Sequence, residues 1–252
     1  MFKIALNAGH GYYTAGKRCL KTLDSNETRE WVLNARICDK VQEKLKGYTG
    51  YEIIRLDDTT GMEDVSLRKR TDKANTWGAD FYLAIHHNAG IAGSSGGGIV
   101  SIVYTSASGK SIEWQEELYD SLIKHTGLKG NRSTPLAKMN LHEVRESGMP
   151  AVLLELGFMD SKTDVPIILS EDFADKCAVA IVEVLAAKGG LKKAVTQPAE
   201  ETDNIADAYA SDAVKWAINN GILYGDSNGN YKLHSNISRQ DMIVFLYRAM
   251  QL

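Results

Sequence analysis

Five short apolar runs, at residues 4–7, 52–56, 81–86, 98–104 and 151–155, are separated by longer stretches in which apolar residues recur at helical spacing. Runs this short, with helical segments long enough to cross back between them, specify an α/β domain: a twisted, mostly parallel sheet flanked by helices. The stretch 27–45 places Trp31, Ala35, Ile37, Cys38, Val41 and Leu45 on one helical face, with Asn26 positioned to cap its start. Further helices are expected at 66–77, 108–126 and 171–187, the last rich in Ala, Val and Ile and suited to packing on the sheet.

The pattern ends at residue 188. Residues 189–203 carry few large apolar side chains and no period, and read as a linker. Beyond it, 204–252 holds two helical patterns, at 212–220 and 239–250, around a turn-rich Gly225-Asp226-Ser227-Asn228-Gly229-Asn230. About 50 residues bury little surface alone, so this small helical domain is expected to dock or to pair with another copy of the chain. Residues 1–188 form the main domain.

Twenty-nine basic against 32 acidic residues give a formal charge of -3, without the basic surface that nucleic-acid binding needs. No apolar run approaches the roughly 20 residues of a membrane span, so the protein is not expected to insert in a bilayer. The N-terminus enters a strand directly, without the pattern of a signal peptide, which predicts a protein held in the cytoplasm. Cys19, Cys38 and Cys177 are widely spaced and read as free thiols.

In open α/β sheets, functional groups gather outside the carboxyl ends of the strands. Three candidates fall there: His10 in Asn7-Ala8-Gly9-His10-Gly11, the pair His86-His87 followed by Asn88, and Glu155, a carboxylate closing an apolar run. Imidazole nitrogen and carboxylate oxygen suit zinc, and a catalytic site keeps one position open for water. Taken singly, His10 is equally a hydrogen-bonded turn histidine and Glu155 a salt-bridged structural acid; strand alternation lets only one of His86 and His87 point inward.

Together and in order, these pieces resemble the amidase-3 family of N-acetylmuramoyl-L-alanine amidases over residues 3 to about 187. The resemblance rests on Gly9-His10-Gly11 after the first strand, Glu30-x3-Asn34, Arg70-x4-Asn75, Ile85-His86-x-Asn88-Ala89 and Leu154-Glu155-Leu156-Gly157-Phe158. It implies one zinc ion per catalytic domain held by His10, Glu30 and His86, with Glu155 as the catalytic acid/base. The reaction implied is hydrolysis of the amide bond between N-acetylmuramic acid and L-alanine in peptidoglycan. Glu27, three residues before Glu30, shares a helix face with it in the expected helix and is an alternative ligand, although the Asn34 spacing favours Glu30. Asn88 is placed to hold His86 or contact substrate. Arg132 resembles a family arginine near the cleft, and is otherwise a solvated loop cation.

The C-terminal segment, with Trp216-Ala217, Gly221-Ile222, Gly225-Asp226 and Ser238-Arg239, resembles a single S-layer homology repeat. Such repeats anchor proteins to secondary cell-wall polymers, and three usually act together, so one repeat suggests a homo-oligomer. A wall amidase without an export signal resembles a phage or prophage endolysin, cytoplasmic until a separate membrane pore releases it to the host wall. Two other readings compete: a zinc peptidase acting on the peptidoglycan stem, and a wall-binding protein without activity, the latter disfavoured because all four site residues are present.

Overall fold

The elements follow in chain order: β1 (Phe2–Ala8), α1 (Glu30–Leu45), β2 (Tyr48–Thr49), β3 (Tyr51–Arg55), α2 (Leu67–Trp77), β4 (Phe81–Asn88), β5 (Ile99–Val103), α3 (Gly109–Thr126), β6 (Leu136–Lys138), α4 (His142–Arg145), β7 (Ala151–Phe158), α5 (Val165–Ile168), α6 (Glu171–Gly189) and β8 (Lys192–Lys193). These belong to the first of two units in the computed structural model, Met1–Ala194 and Val195–Leu252. Residues 1–194, 203–227 and 229–251 are described.

Six strands form one sheet in the order β3-β1-β4-β7-β5-β6. The four strands from β3 to β7 are mutually parallel; β5 runs antiparallel to β7, and β6 parallel to β5. The sheet is thus mostly parallel, as the alternation of runs and helices predicts. β6 lies in a stretch with no apolar run to announce it.

Period-two alternation divides the sheet into two faces. On one, Ile4, Leu6, Phe81, Leu83, Ile85, Val152 and Leu154 pack with α1, α3 and α6. On the other, Ala5, Tyr82, Ala84, Ala151 and Leu153 pack with Ala74 of α2 and Val144 of α4. Cys38 and Cys177 are buried in the first core beside Cys19, all three unbridged.

Two expected boundaries move. The first long helix begins at Glu30, not at 27: Glu27 adopts φ +48°, and the Asp24 carboxylate accepts from the N–H groups of Asn26 and Thr28, closing a turn that competes with helix. Asn26 therefore caps nothing, and Glu27 pairs instead with Arg18 at 3.0 Å. At the other end, Lys192 and Lys193 pair antiparallel with Tyr48 and Thr49, so the first unit continues to Ala194 and takes in the start of the expected linker. Residues 195–202 of that linker lie outside the described residues.

In the second unit, α7 (Ser211–Asn219) and α8 (Arg239–Ala249) flank a turn in which Asp226 accepts from Gly229 and Asn230. Arg248 lies 4.8 Å over the Tyr224 ring and donates to the Ile222 carbonyl. Only Ile222 and Asn230 are buried among its described residues, and Trp216, Ile243, Leu246 and Tyr247 remain exposed.

Candidate active site

Three backbone segments converge at the carboxyl ends of β1 and β4. His10 follows β1 in a left-handed conformation, φ +65°, which a histidine tolerates better than most side chains and which turns the imidazole back over the strand ends. Gly9 makes room for this. A Cβ there would lie 2.0 Å from His86 Cε1, so only glycine lets the His86 ring rest against the β1 backbone. Glu30, the first residue of α1, is 1% exposed and enters from the opposite layer.

His86 continues the Tyr82-Ala84 face of β4, whereas His87 points to the other face. There His87 is buried and its Nδ1 pairs with Asn34 Oδ1 at 2.8 Å. Asn34 also donates to the Gly9 carbonyl, so the Glu30-x3-Asn34 pattern has a structural reason: Asn34 ties together the ends of β1 and β4. Burial pushes the His87 imidazole down to about 3, leaving it neutral.

His10 Nε2 lies 3.4 Å from Glu30 Oε2, and His86 Nδ1 lies 3.1 Å from Glu30 Oε1. Ligand atoms of all three residues lie within 4.8 Å of one another. Glu27 is not part of this group. Bonds of 2.0–2.1 Å in a tetrahedron place ligands about 3.3–3.4 Å apart, so a group whose atoms lie within 4.8 Å of one another is close enough to gather around one ion. Glu30 Oε2 is sealed from solvent, makes no well-aligned hydrogen bond, and has His10 Nε2 at 3.4 Å and the Lys17 ammonium at 3.6 Å, a setting of positive partners that a cation could join. Burial raises the Glu30 carboxyl, but hydrogen bonds to His10 and His86 outweigh it and hold the group well below the ordinary range. Two imidazoles and one ionised carboxylate fit a divalent ion, with one position left for water.

Glu155 is the lateral neighbour of His86 in the β4–β7 pairing and shares its sheet face. Its Oε2 is buried without a partner. Burial lifts the carboxyl to about 7, only partly offset by the nearby His86 charge, so near neutrality it can both take and release a proton.

Arg70 and Asn75 of the Arg70-x4-Asn75 pattern, together with Glu143, which the sequence did not single out, complete the frame. Arg70 is 1% exposed, and its five donors meet Asn7 Oδ1, the Ala8, His10 and Val65 carbonyls and Asp64. It therefore fixes the turn that presents His10. Asn75, one turn further along α2, clamps the Glu146 carbonyl and the Gly148 N–H. That clamp positions α4, from which Glu143 reaches His86: Oε2 is 3.1 Å from His86 Nε2, while Oε1 accepts from Asn7 and Tyr82. Burial raises Glu143, but the His86 hydrogen bond and charge outweigh it and hold the carboxyl at about 2.

The two expected substrate contacts stand differently. The Asn88 side chain turns onto the N–H of Ala89 at an irregularity in the β4–β7 register, and the hydrogen bonds on His86 go to Glu30 and Glu143 instead. Arg132 lies 4.3 Å over the Phe158 ring and lines a cavity of about 400 Å³ with Ile91, Ser94, Gly97 and Asn131. The cavity that contains His10 and His86 is a separate one of about 320 Å³, bordered by Asp64, Leu67, Arg70 and Glu143.

Residues 4–187 match the family described as Amidase_3, N-acetylmuramoyl-L-alanine amidase, and residues 202–243 match the S-layer homology domain. The sporulation-specific N-acetylmuramoyl-L-alanine amidase of Bacillus subtilis is 31% identical over 77% of this chain and 70% of its own length. The endolysin of Bacillus phage SPP1 is 30% identical over 75% of this chain and 66% of its own. Among solved structures, the catalytic domain of CwlV from Bacillus (Paenibacillus) polymyxa var. colistinus superposes with a TM-score of 0.67 at 24% identity, covering 76% of this chain and all of that one, a likeness of fold.

Proposed function

Since this chain belongs to the Amidase_3 family of N-acetylmuramoyl-L-alanine amidases and is a peptidoglycan amidase, we propose that it cleaves the bond between N-acetylmuramic acid and L-alanine with zinc held by His10, Glu30 and His86 and with Glu155 as catalytic base. The observation that carries this reading is the convergence of His10, Glu30 and His86, with His10 Nε2 on Glu30 Oε2 and His86 Nδ1 on Glu30 Oε1, beside a carboxyl poised near neutrality. His10, Glu30 and His86 would hold the zinc, which would supply Lewis-acid polarisation of the scissile carbonyl and a more acidic water. Glu155 takes the proton of the attacking water and returns it to the departing amine of L-alanine. Arg70 and Glu143 keep the two imidazoles in place, and the buried setting strengthens each of these charges. Arg132 contacts the substrate from its neighbouring cavity.

The S-layer homology repeat holds the enzyme to a secondary cell-wall polymer, and the exposed apolar side chains of α7 and α8 pair between copies of the chain. Similarity to the phage endolysin supports a lytic role in which the protein waits in the cytoplasm until a membrane pore admits it to the wall. Similarity to the sporulation-specific amidase makes lysis or remodelling in a sporulating cell the competing role.

The test is digestion of purified Gram-positive walls. New N-terminal alanine without new reducing ends, lost on chelation, regained with zinc and absent in Glu155→Ala, is the expected result; release of terminal D-amino acids instead would point to a stem peptidase, and tight wall binding without hydrolysis to a binding protein. Sedimentation of the full chain reads the oligomer. Host cells expressing the protein should lyse only when a pore-former is added, and lysis without one would exclude the endolysin role.

A further inference from the structure

We propose that Glu143 is a positioning residue for His86: it holds the imidazole Nε2–H and thereby makes Nδ1 the atom offered to the metal. The inference rests on the zinc reading above and adds a residue to it.

The two nitrogens of His86 face two carboxylates. Nδ1 is 3.1 Å from Glu30, within the converging group, and Nε2 is 3.1 Å from Glu143 on the opposite edge of the ring. A nitrogen that carries a proton cannot also give its lone pair to a cation, so the group that captures the proton decides which nitrogen binds. Glu143 is built to capture it. Its carboxylate is 3% exposed and is oriented by two donors on Oε1, Asn7 Nδ2 and the Tyr82 hydroxyl. Asn7 cannot turn its oxygen to Glu143 instead, because that oxygen accepts from Arg70. The backbone is held as well: Ser147 Oγ donates to the Glu143 carbonyl, and Asn75 clamps the residues that follow. A buried carboxylate costs several kcal/mol unless paired, and the structure pairs every lone pair of this one that faces a donor, the last of them with a metal ligand. The arrangement is a carboxylate–histidine pair on the far side of the ion, which makes the imidazole a stronger ligand and limits its rotation.

The experiment compares the full chain with Glu143→Gln and Glu143→Leu. Zinc affinity is measured by chelator competition on metal-free protein, thermal melting of the same metal-free samples reports folding, and two-bond ¹H–¹⁵N correlation of the zinc-loaded protein reports the His86 tautomer. Zinc should bind 10–100-fold more weakly to Glu143→Leu, with Glu143→Gln intermediate, since the amide oxygen still accepts from Nε2–H but must present its NH₂ to Asn7 and Tyr82. Wild type should show a protonated Nε2 and a metal-bound Nδ1, and the variants a mixture. Unchanged affinity in the folded Gln variant, or Nε2 ligation in wild type, overturns the proposal; a purely structural Glu143 would lower melting and leave the affinity of folded protein untouched. If the wild type takes up no zinc, the metal reading fails with it, and the wild-type arm alone reveals that.

Discussion

Replacing Glu155 by glutamine should stabilise the metal-free protein while abolishing hydrolysis. Glu155 Oε2 is enclosed without a hydrogen-bond partner, and burial lifts the carboxyl from its ordinary 4.5 to about 7. At about 1.4 kcal/mol per pH unit, that difference makes the ionised group cost roughly 3 kcal/mol in the folded state. Between pH 4.5 and 7 the folded chain keeps a proton that the unfolded chain has released, so wild-type stability falls as pH rises through this window and levels off above it. Glutamine has no proton to lose. The gap between variant and wild type should therefore be near its minimum below about pH 4 and should widen by roughly 3 kcal/mol by pH 8. For a chain of this size that is a melting difference of roughly 6–12 °C. Metal-free protein is required because a bound cation favours the ionised form. The assay is circular-dichroism melting in chelator across pH 4–8.5, with wall hydrolysis in parallel, where loss of the base should lower the rate by about 10²–10⁴-fold. Melting curves that stay parallel across the pH range would refute both the enclosed-carboxyl argument and the base assignment built on it.

Gly9→Ala should abolish zinc retention after dialysis while leaving the circular dichroism intact, because the new methyl lands on the His86 ring, 2.0 Å from Cε1; zinc retained at one equivalent would contradict the packing. Arg70→Met strips five hydrogen bonds and leaves Asn7 Oδ1 and three carbonyls short of a donor. Removing one side of such a buried charged network costs about 3–5 kcal/mol, to be read as a shift in denaturant midpoint. Asp160 Oδ2 accepts from the N–H groups of Gly90, Ile91 and Ala92, so Asp160→Ala should speed hydrogen exchange at those three amides by one to two orders of magnitude, the equivalent of about 1–3 kcal/mol.

How much of the site the sequence discloses depends on where a residue gets its orientation. His10, His86 and Glu155 stand at strand ends, so the apolar runs and the period of two bring them together before any tertiary contact is known. The same period sends His87 to the opposite face, where it meets Asn34. Glu30 is different: a glutamate at a helix start looks solvated unless the resemblance to a family marks it, and the turn closed by Asp24 displaces the helix start to the ligand itself. Glu143 was not legible at all. It sits in a four-residue helix inside an aperiodic stretch, and its partner His86 is 57 positions away. The antiparallel β5 was equally hidden, since an apolar run states that a strand exists and not which way it pairs.

The three interior cysteines bear on how the protein withstands its surroundings. Burial pushes the Cys19 thiol up to about 12, helped by the charges of Asp24 and Glu30, and pushes Cys38 and Cys177 higher still. Oxidants and disulfides attack through the thiolate, and near neutral pH these residues present almost none. These three thiols should therefore need neither a reductant to keep them free nor an oxidant to complete a bridge. The fold should unfold at the same denaturant concentration in dithiothreitol as in air, a useful property for a catalyst whose polymer substrate lies beyond the reach of cellular glutathione.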